Sequence, residues 1–193
     1  GNDGLNSEGF SRATTKGTPQ HDAEEWQQTF RGYWKLLVVA IDYLSAFAPV
    51  DVIVVQGNHD FERMFYIGEV IESWYKDYSG VTVDNSYESR KYYRYGKNML
   101  MFTHGDKEKT ADMPLLMATE QPLMFAACPN REVHCGHLHR EIVNTYQGVR
   151  LDSFLVYVQM MHGIKVKVIV RQEKGKLIYG IKKKDVKDIY KLI

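Results

Sequence analysis

Asp51-Val52-Ile53-Val54-Val55-Gln56-Gly57-Asn58-His59-Asp60 is the stretch whose reading decides the fold class. Its opening residues, DVIVVQ, form a short apolar, β-branched run of the kind found in a strand covered on both faces. The run stops at Gly57, and Asp60 stands where it can cap a helix from about Phe61 to Tyr78, with Glu62 in the first turn and Gly80 past the end. A buried strand, a polar loop and a helix in succession predict an α/β architecture.

Working outward, Trp26, Phe30, Tyr33, Trp34, Leu37, Val38, Ile41 and Leu44 recur at three- and four-residue spacing, which predicts an amphipathic helix over Ala23 to Phe47 packed on a sheet. Pro49 stops it, and residues 1–22 read as loop. Downstream, Val81 to Val83, Lys91 to Tyr95 and Asn98 to Phe102 read as strands, the last two joined by a Gly96-Lys97 turn. A helical pattern fills Pro114 to Ala127, and Arg131 to Cys135 is another short strand. The segments EIVNTYQGV, SFLVYVQ, GIKVKVIVRQ and KLIYGIKK then alternate like antiparallel strands with glycine-containing turns. The expected organisation is one domain over residues 1–193: a loop to residue 22, an α/β core over 23–140 and a strand-rich basic part over 141–193.

A length of 193 residues suits one such domain with its own core. A hydrophobic share of 44% and a charged share of 25% argue against disordered and fibrous classes. The net charge of +1 is unevenly spread: residues 163–193 hold ten Lys/Arg against three Asp/Glu, a local +7, leaving −6 for the first 162 residues. Such a tail can hold nucleic acid or a phosphorylated surface, or it can be a solvated strand edge guarded by lysine. Cys128 and Cys135 are too few for a disulfide framework and lack zinc-finger spacing, so a reducing cytoplasm is expected. Gly1 to Gln20 does not read as a signal peptide. Lys35, Asp42, Pro49 and Asp51 interrupt the longest apolar stretch, Trp34 to Val55, so no membrane association is expected.

Three motifs share one architectural position. DVIVVQ runs into Gly57-Asn58-His59-Asp60, MLMF into Thr103-His104-Gly105-Asp106, and REVHC into Gly136-His137-Leu138-His139. Ligands of α/β sheets bind beyond the carboxyl ends of strands, so three such loops can converge on one site. Imidazole, carboxylate and amide oxygen donors without thiolates suit divalent manganese, iron or zinc. His137 and His139, two apart in an extended segment, direct their rings to the same side, so that one could serve each of two neighbouring ions. Glycines at 57, 105 and 136 allow sharp turns and a close approach of backbone to an ion or phosphate.

Gly-Asn-His-Asp, a strand-end His-Gly-Asp and Gly-His-x-His, in that order over residues 51–139, resemble the signature of the calcineurin-like metallophosphoesterase superfamily. The run Thr14 to Gln20 is similar to phage-type members. The resemblance implies a β-sandwich of mixed sheets flanked by helices, here with its first strand missing. It implies that Asn58, His104 and His137 bind one metal, His139 the other, and Asp3, within Gly1-Asn2-Asp3-Gly4, both. His59 would stand beside the scissile phosphate, oriented by Asp60. The implied reaction is hydrolysis of a phosphate mono- or diester, nucleic acid among the substrates, by a hydroxide held between two cations roughly 3.5–4 Å apart. His59 would assist the leaving group. The family's first motif, Asp-x-His, has no counterpart in this chain. Two ions (Mn, Fe or Zn) are therefore expected in a complete protein and one or none in the chain as given. A catalytically silent scaffold of the same fold is the alternative.

Other residues have plainer readings. His21, His134 and His162 lack a motif partner and read as structural or solvated, and Asp106 as a loop-ordering residue. Asp3 in a Gly/Asn-rich segment is also a turn residue. Cys135 ends an apolar strand and reads as a buried filler rather than a thiolate ligand. Arg90 to Lys97 (RKYYRYGK) interleaves basic and aromatic side chains as single-strand nucleic-acid surfaces do, and equally as a half-exposed strand does.

Overall fold

The computed structural model describes residues 3–10, 12–20, 25–138 and 142–153. The expected strands beyond Ser153, the basic tail, His21, His139 and His162 lie outside them. The described chain is a mixed α/β structure with a two-stranded parallel sheet and a five-stranded mixed sheet.

Helix α1 (Trp26–Ser45) and helix α2 (Phe61–Tyr75) flank the small sheet, in which β1 (Val50–Ile53) pairs in parallel with β2 (Val81–Asp84). The α2 residues that turn inward, Met64, Ile67, Gly68, Ile71 and Tyr75, follow helical spacing. Met64, Ile67, Ile71 and Tyr75 pack with Leu5, Val38, Ile41, Val54 and Val81 into one hydrophobic cluster, against which Phe30, Tyr33, Trp34 and Leu37 of α1 close. The Tyr75 hydroxyl reaches α1, donating to the Val38 carbonyl at 3.1 Å and to Asp42 Oδ1 at 2.7 Å. Strand β1 is shorter than the run DVIVVQ because its partner ends first. The Val54 N–H still donates to the Asp84 carbonyl, after which the chain turns toward Gly57.

The five-stranded sheet has the order β3-β4-β5-β7-β6. Strands β3 (Arg90–Tyr95) and β4 (Asn98–Thr103) form the expected hairpin around Gly96, whose φ of +57° suits a residue without a Cβ. A 3-10 turn at Thr110–Asp112, α3 (Met113–Glu120) and α4 (Pro122–Ala127) carry the chain to β5 (Asn130–Cys135), parallel to β4. The single helix expected over Pro114 to Ala127 is thus two. Pro122 lacks an N–H and disfavours helical backbone in the residue before it, and Gln121 takes φ −133°, ψ 58°. Strands β6 (Ile142–Tyr146) and β7 (Val149–Ser153) make the second hairpin, with β7 parallel to β5.

One face of this sheet carries Met99, Met101, Val133, Cys135, Val149 and Leu151, which pack with Met113, Met117 and Cys128 into a second cluster. Cys128 and Cys135 are both free and buried, and burial pushes the Cys135 thiol up, as suits a filler. The opposite face turns toward the small sheet. Buried Lys91 sends Nζ to Asp84 Oδ1 at 3.0 Å, and the Tyr93 hydroxyl donates to Asp51. Arg90 binds Glu108 at 2.8 Å and Glu120 at 2.7 Å, and Tyr92 donates to Glu120. The basic side chains at the start of RKYYRYGK are therefore engaged with carboxylates of this chain, as the strand reading requires.

Among the described residues no helix is long and apolar enough to cross a membrane. Ile67 is fully buried at the centre of the first cluster, so Ile67→Ala should lower stability by about 2–5 kcal/mol in urea unfolding with an unchanged m-value. Hydrogen bonding from Arg90 holds Glu120 below its ordinary value of 4.5 despite partial burial. Its contribution is complete above that ordinary value and is lost as pH falls through the depressed one. Glu120→Gln should accordingly flatten the acid limb of a pH–stability profile.

Candidate metal centre

The three expected loops meet. β1 leads into Gly57 to Asp60, β4 into His104 to Asp106, and β5 into Gly136 to Leu138. Two of the loops are tied by backbone, since the His104 carbonyl accepts both the Gly136 N–H at 3.1 Å and the His137 N–H at 3.0 Å. Gly105 takes φ +95°, and a Cβ there would stand 3.1 Å from Cys135 Cβ, so this junction requires glycine.

The side chains converge as the backbone does. Asn58 Oδ1 lies 2.6 Å from His104 Nε2 and 3.2 Å from His137 Nδ1, and these two ring nitrogens stand 3.1 Å apart. Asp3 completes the group, with Oδ2 3.5 Å from His104 Nε2. Burial lowers the pKa of His104; Asp3 and Asp106 oppose this and the imidazoles of His137 and His59 add to it. A neutral imidazole keeps the ring lone pair that a metal needs.

Asp3 is held in place from several directions. Its φ of +62° lies in the left-handed region, which among residues with a side chain Asn and Asp enter most readily, and its Oδ1 accepts the His59 N–H at 3.0 Å. A Cβ on Gly57 would stand 2.6 Å from the Asp3 nitrogen. The loop that carries Asp3 is fixed on α2: Arg63 donates to Ser7 Oγ at 3.1 Å and to the Gly9 carbonyl at 2.7 Å, and Thr15 N–H donates to the Asn58 carbonyl at 2.9 Å.

Asp60 does different work from helix capping. Its carboxylate makes no capping bond to α2. It is fully buried, accepting the Gly57 N–H on Oδ1 at 2.8 Å and the Leu5 N–H on Oδ2 at 3.1 Å, and burial raises its pKa against these two bonds. The free N–H of Glu62 in the first turn of α2 goes instead to Glu8 Oε1, at 2.6 Å. A hydrogen bond that sets the His59 ring joins Nδ1 to the Asn6 carbonyl at 3.1 Å. A carbonyl can only accept, so Nδ1 is the donor in this contact.

Of the sequence-expected residues, Asp3, Asn58, His104 and His137 are brought together, His59 and Asp60 adjoin them, and His139 falls outside the described residues. His134, read from the sequence as structural or solvated, lies beside Glu132 and Asp152 on the far side of β5 from the methionine cluster. The only trace in the sequence is the two-residue spacing of Glu132 and His134; Asp152 joins them through strand pairing. No family model, curated protein or solved structure matches this chain.

The close approach at Gly57 yields a direct test. Gly57→Ala should separate Asp3 from the His59 N–H and make amide exchange at His59 roughly tenfold faster or more, equivalent to about 1.4 kcal/mol.

Proposed function

We propose that this chain forms the body of a metal-dependent phosphoesterase of the calcineurin-like type, acting on a phosphate mono- or diester, nucleic acid included. The observation that carries this reading is the meeting of Asn58 Oδ1, His104 Nε2, His137 Nδ1 and the Asp3 carboxylate, from four separate segments, at separations of 2.6–3.5 Å. Ligand atoms each about 2.0–2.2 Å from a tetrahedral ion stand about 3.3–3.6 Å apart, so the spacing fits a shared cation after small adjustments. The donors are nitrogen and oxygen without thiolate, a set suited to manganese, iron or zinc. A sandwich of two sheets is supported by the Lys91–Asp84 and Tyr93–Asp51 contacts between them.

Bound ions would neutralise the phosphate and supply a hydroxide near neutral pH. The remaining roles fall to the chain. By the resemblance, Asn58, His104 and His137 would hold one ion, His139 the second and Asp3 both. The backbone clamp from the His104 carbonyl to Gly136 and His137 keeps two ligand loops at a fixed distance. His59, its Nδ1 proton directed to Asn6, would act as an imidazolium that passes its Nε2 proton to the departing alkoxide and ends neutral. Asp60 secures Gly57 and Leu5 and so the positions of His59 and Asp3. A silent scaffold of the same fold is the second reading.

Both readings are separated by hydrolysis of bis-p-nitrophenyl phosphate with Mn²⁺, using this chain and any longer natural form of it. His59→Ala should lower kcat by roughly 10²- to 10⁴-fold with metal content unchanged, whereas His104→Ala should lose metal and turnover together. Unchanged turnover in His59→Ala would remove its assigned role. No turnover in any form, with one ion or none per chain, would establish the scaffold.

A further inference from the structure

A second group of metal-binding side chains lies on β5 and β7 and shares no residue with the centre above. In the parallel pairing of these strands Glu132 lies beside Arg150 and His134 beside Asp152. Alternate residues of a strand share a face, so all of them project from the face opposite Met99, Met101, Val133 and Leu151. One ligand atom from each of Glu132, His134 and Asp152 lies within 4.8 Å of the others. His134 Nε2 stands 3.3 Å from Glu132 Oε2, close to the edge of a tetrahedral zinc site at about 3.3 Å.

The donors are set before any ion arrives. The His134 ring stacks on Phe102 with centroids 5.3 Å apart and planes inclined by 20°. Arg150 Nε donates to Asp152 Oδ1 at 3.0 Å, which orients the carboxylate while leaving it a second oxygen. His134 and Asp152 are only 5% and 4% exposed. A divalent cation can take one donor atom from each of Glu132, His134 and Asp152 at these separations.

We propose that Glu132, His134 and Asp152 form a site for a borderline divalent cation, with Zn²⁺ the best match to one nitrogen and two oxygen donors, and that the ion clamps β5 to β7 beneath the loop carrying His137. Three protein donors leave at least one coordination position for water or another small ligand.

The test uses Zn²⁺ alone. The full chain carrying His104→Ala and His137→Ala, stripped with chelator, is dialysed against Zn²⁺ and its metal content and unfolding temperature are measured. It should retain about one Zn²⁺ per chain and unfold at a higher temperature with zinc than without. Adding Glu132→Gln and Asp152→Asn should weaken this binding by roughly 100-fold or more and abolish the zinc-dependent shift. Zinc uptake unaffected by those two changes, or absent before they are made, overturns the proposal. Should that variant not fold, the ring ¹⁵N resonances of His134 in the unmutated chain decide: a zinc-dependent shift supports the site, and its absence under saturating zinc overturns it. Neither outcome depends on whether the chain hydrolyses phosphoesters.

Discussion

Asp60 is a charged group withdrawn from water, and much of the candidate centre's geometry follows from how that charge is accommodated. An unpaired buried carboxylate is strongly unfavourable. Here the two oxygens accept N–H groups from Gly57 and Leu5, segments more than fifty residues apart in the chain. Joining them brings the N-terminal loop against the β1–α2 turn, close enough for Asp3 to accept the His59 N–H and for Asn6 to engage the His59 ring. The net contribution of each such charge-assisted bond is about 1.5–3 kcal/mol, which is less important here than the registration of two distant segments.

The larger sheet divides its work between its faces. The methionine-rich face closes on α3 and α4 and contributes a hydrophobic cluster, each fully buried side chain worth about 1.5–3 kcal/mol. The other face holds Lys91, Tyr93, His134 and Asp152, a polar set that needs partners, with Phe102 stacked on His134. Lys91 and Tyr93 find them on β1 and β2. His134, Glu132, Asp152 and Arg150 satisfy one another across β5 and β7. The strand ends project the candidate centre beyond both clusters, where loops rather than packed side chains determine access.

Much of the fold was legible because its signals are local. The spacing of Trp26 to Leu44 is that of a helix whatever it packs against, and DVIVVQ reads as a buried strand. Gly96 predicts its hairpin through backbone freedom alone. The misreadings are equally instructive. Pro114 to Ala127 has helical composition throughout, yet Pro122 divides it, a local rule outweighed in the reading by the apolar pattern. Asp60 occupies a capping position in sequence, but a carboxylate also serves backbone donors elsewhere, and the nearness of Leu5 decided its bonds.

The sequence by itself determined that short strands end in glycine-, histidine- and aspartate-rich loops, because residue type and alternation are properties of the chain. It also assembled Asp3, Asn58, His59, Asp60, His104, His137 and His139 as one candidate set, through motif order and the resemblance that this order carries. Only the tertiary structure decided that Asn58 Oδ1 sits between two imidazoles, that Asn6 rather than a carboxylate hydrogen-bonds Nδ1 of His59, and that His134 meets Asp152. The physical reason is range. Helix and strand preferences act over a few residues, whereas the partner of a side chain depends on which segments the packing of two clusters brings within 3 or 4 Å, a distance that spacing along the chain does not encode.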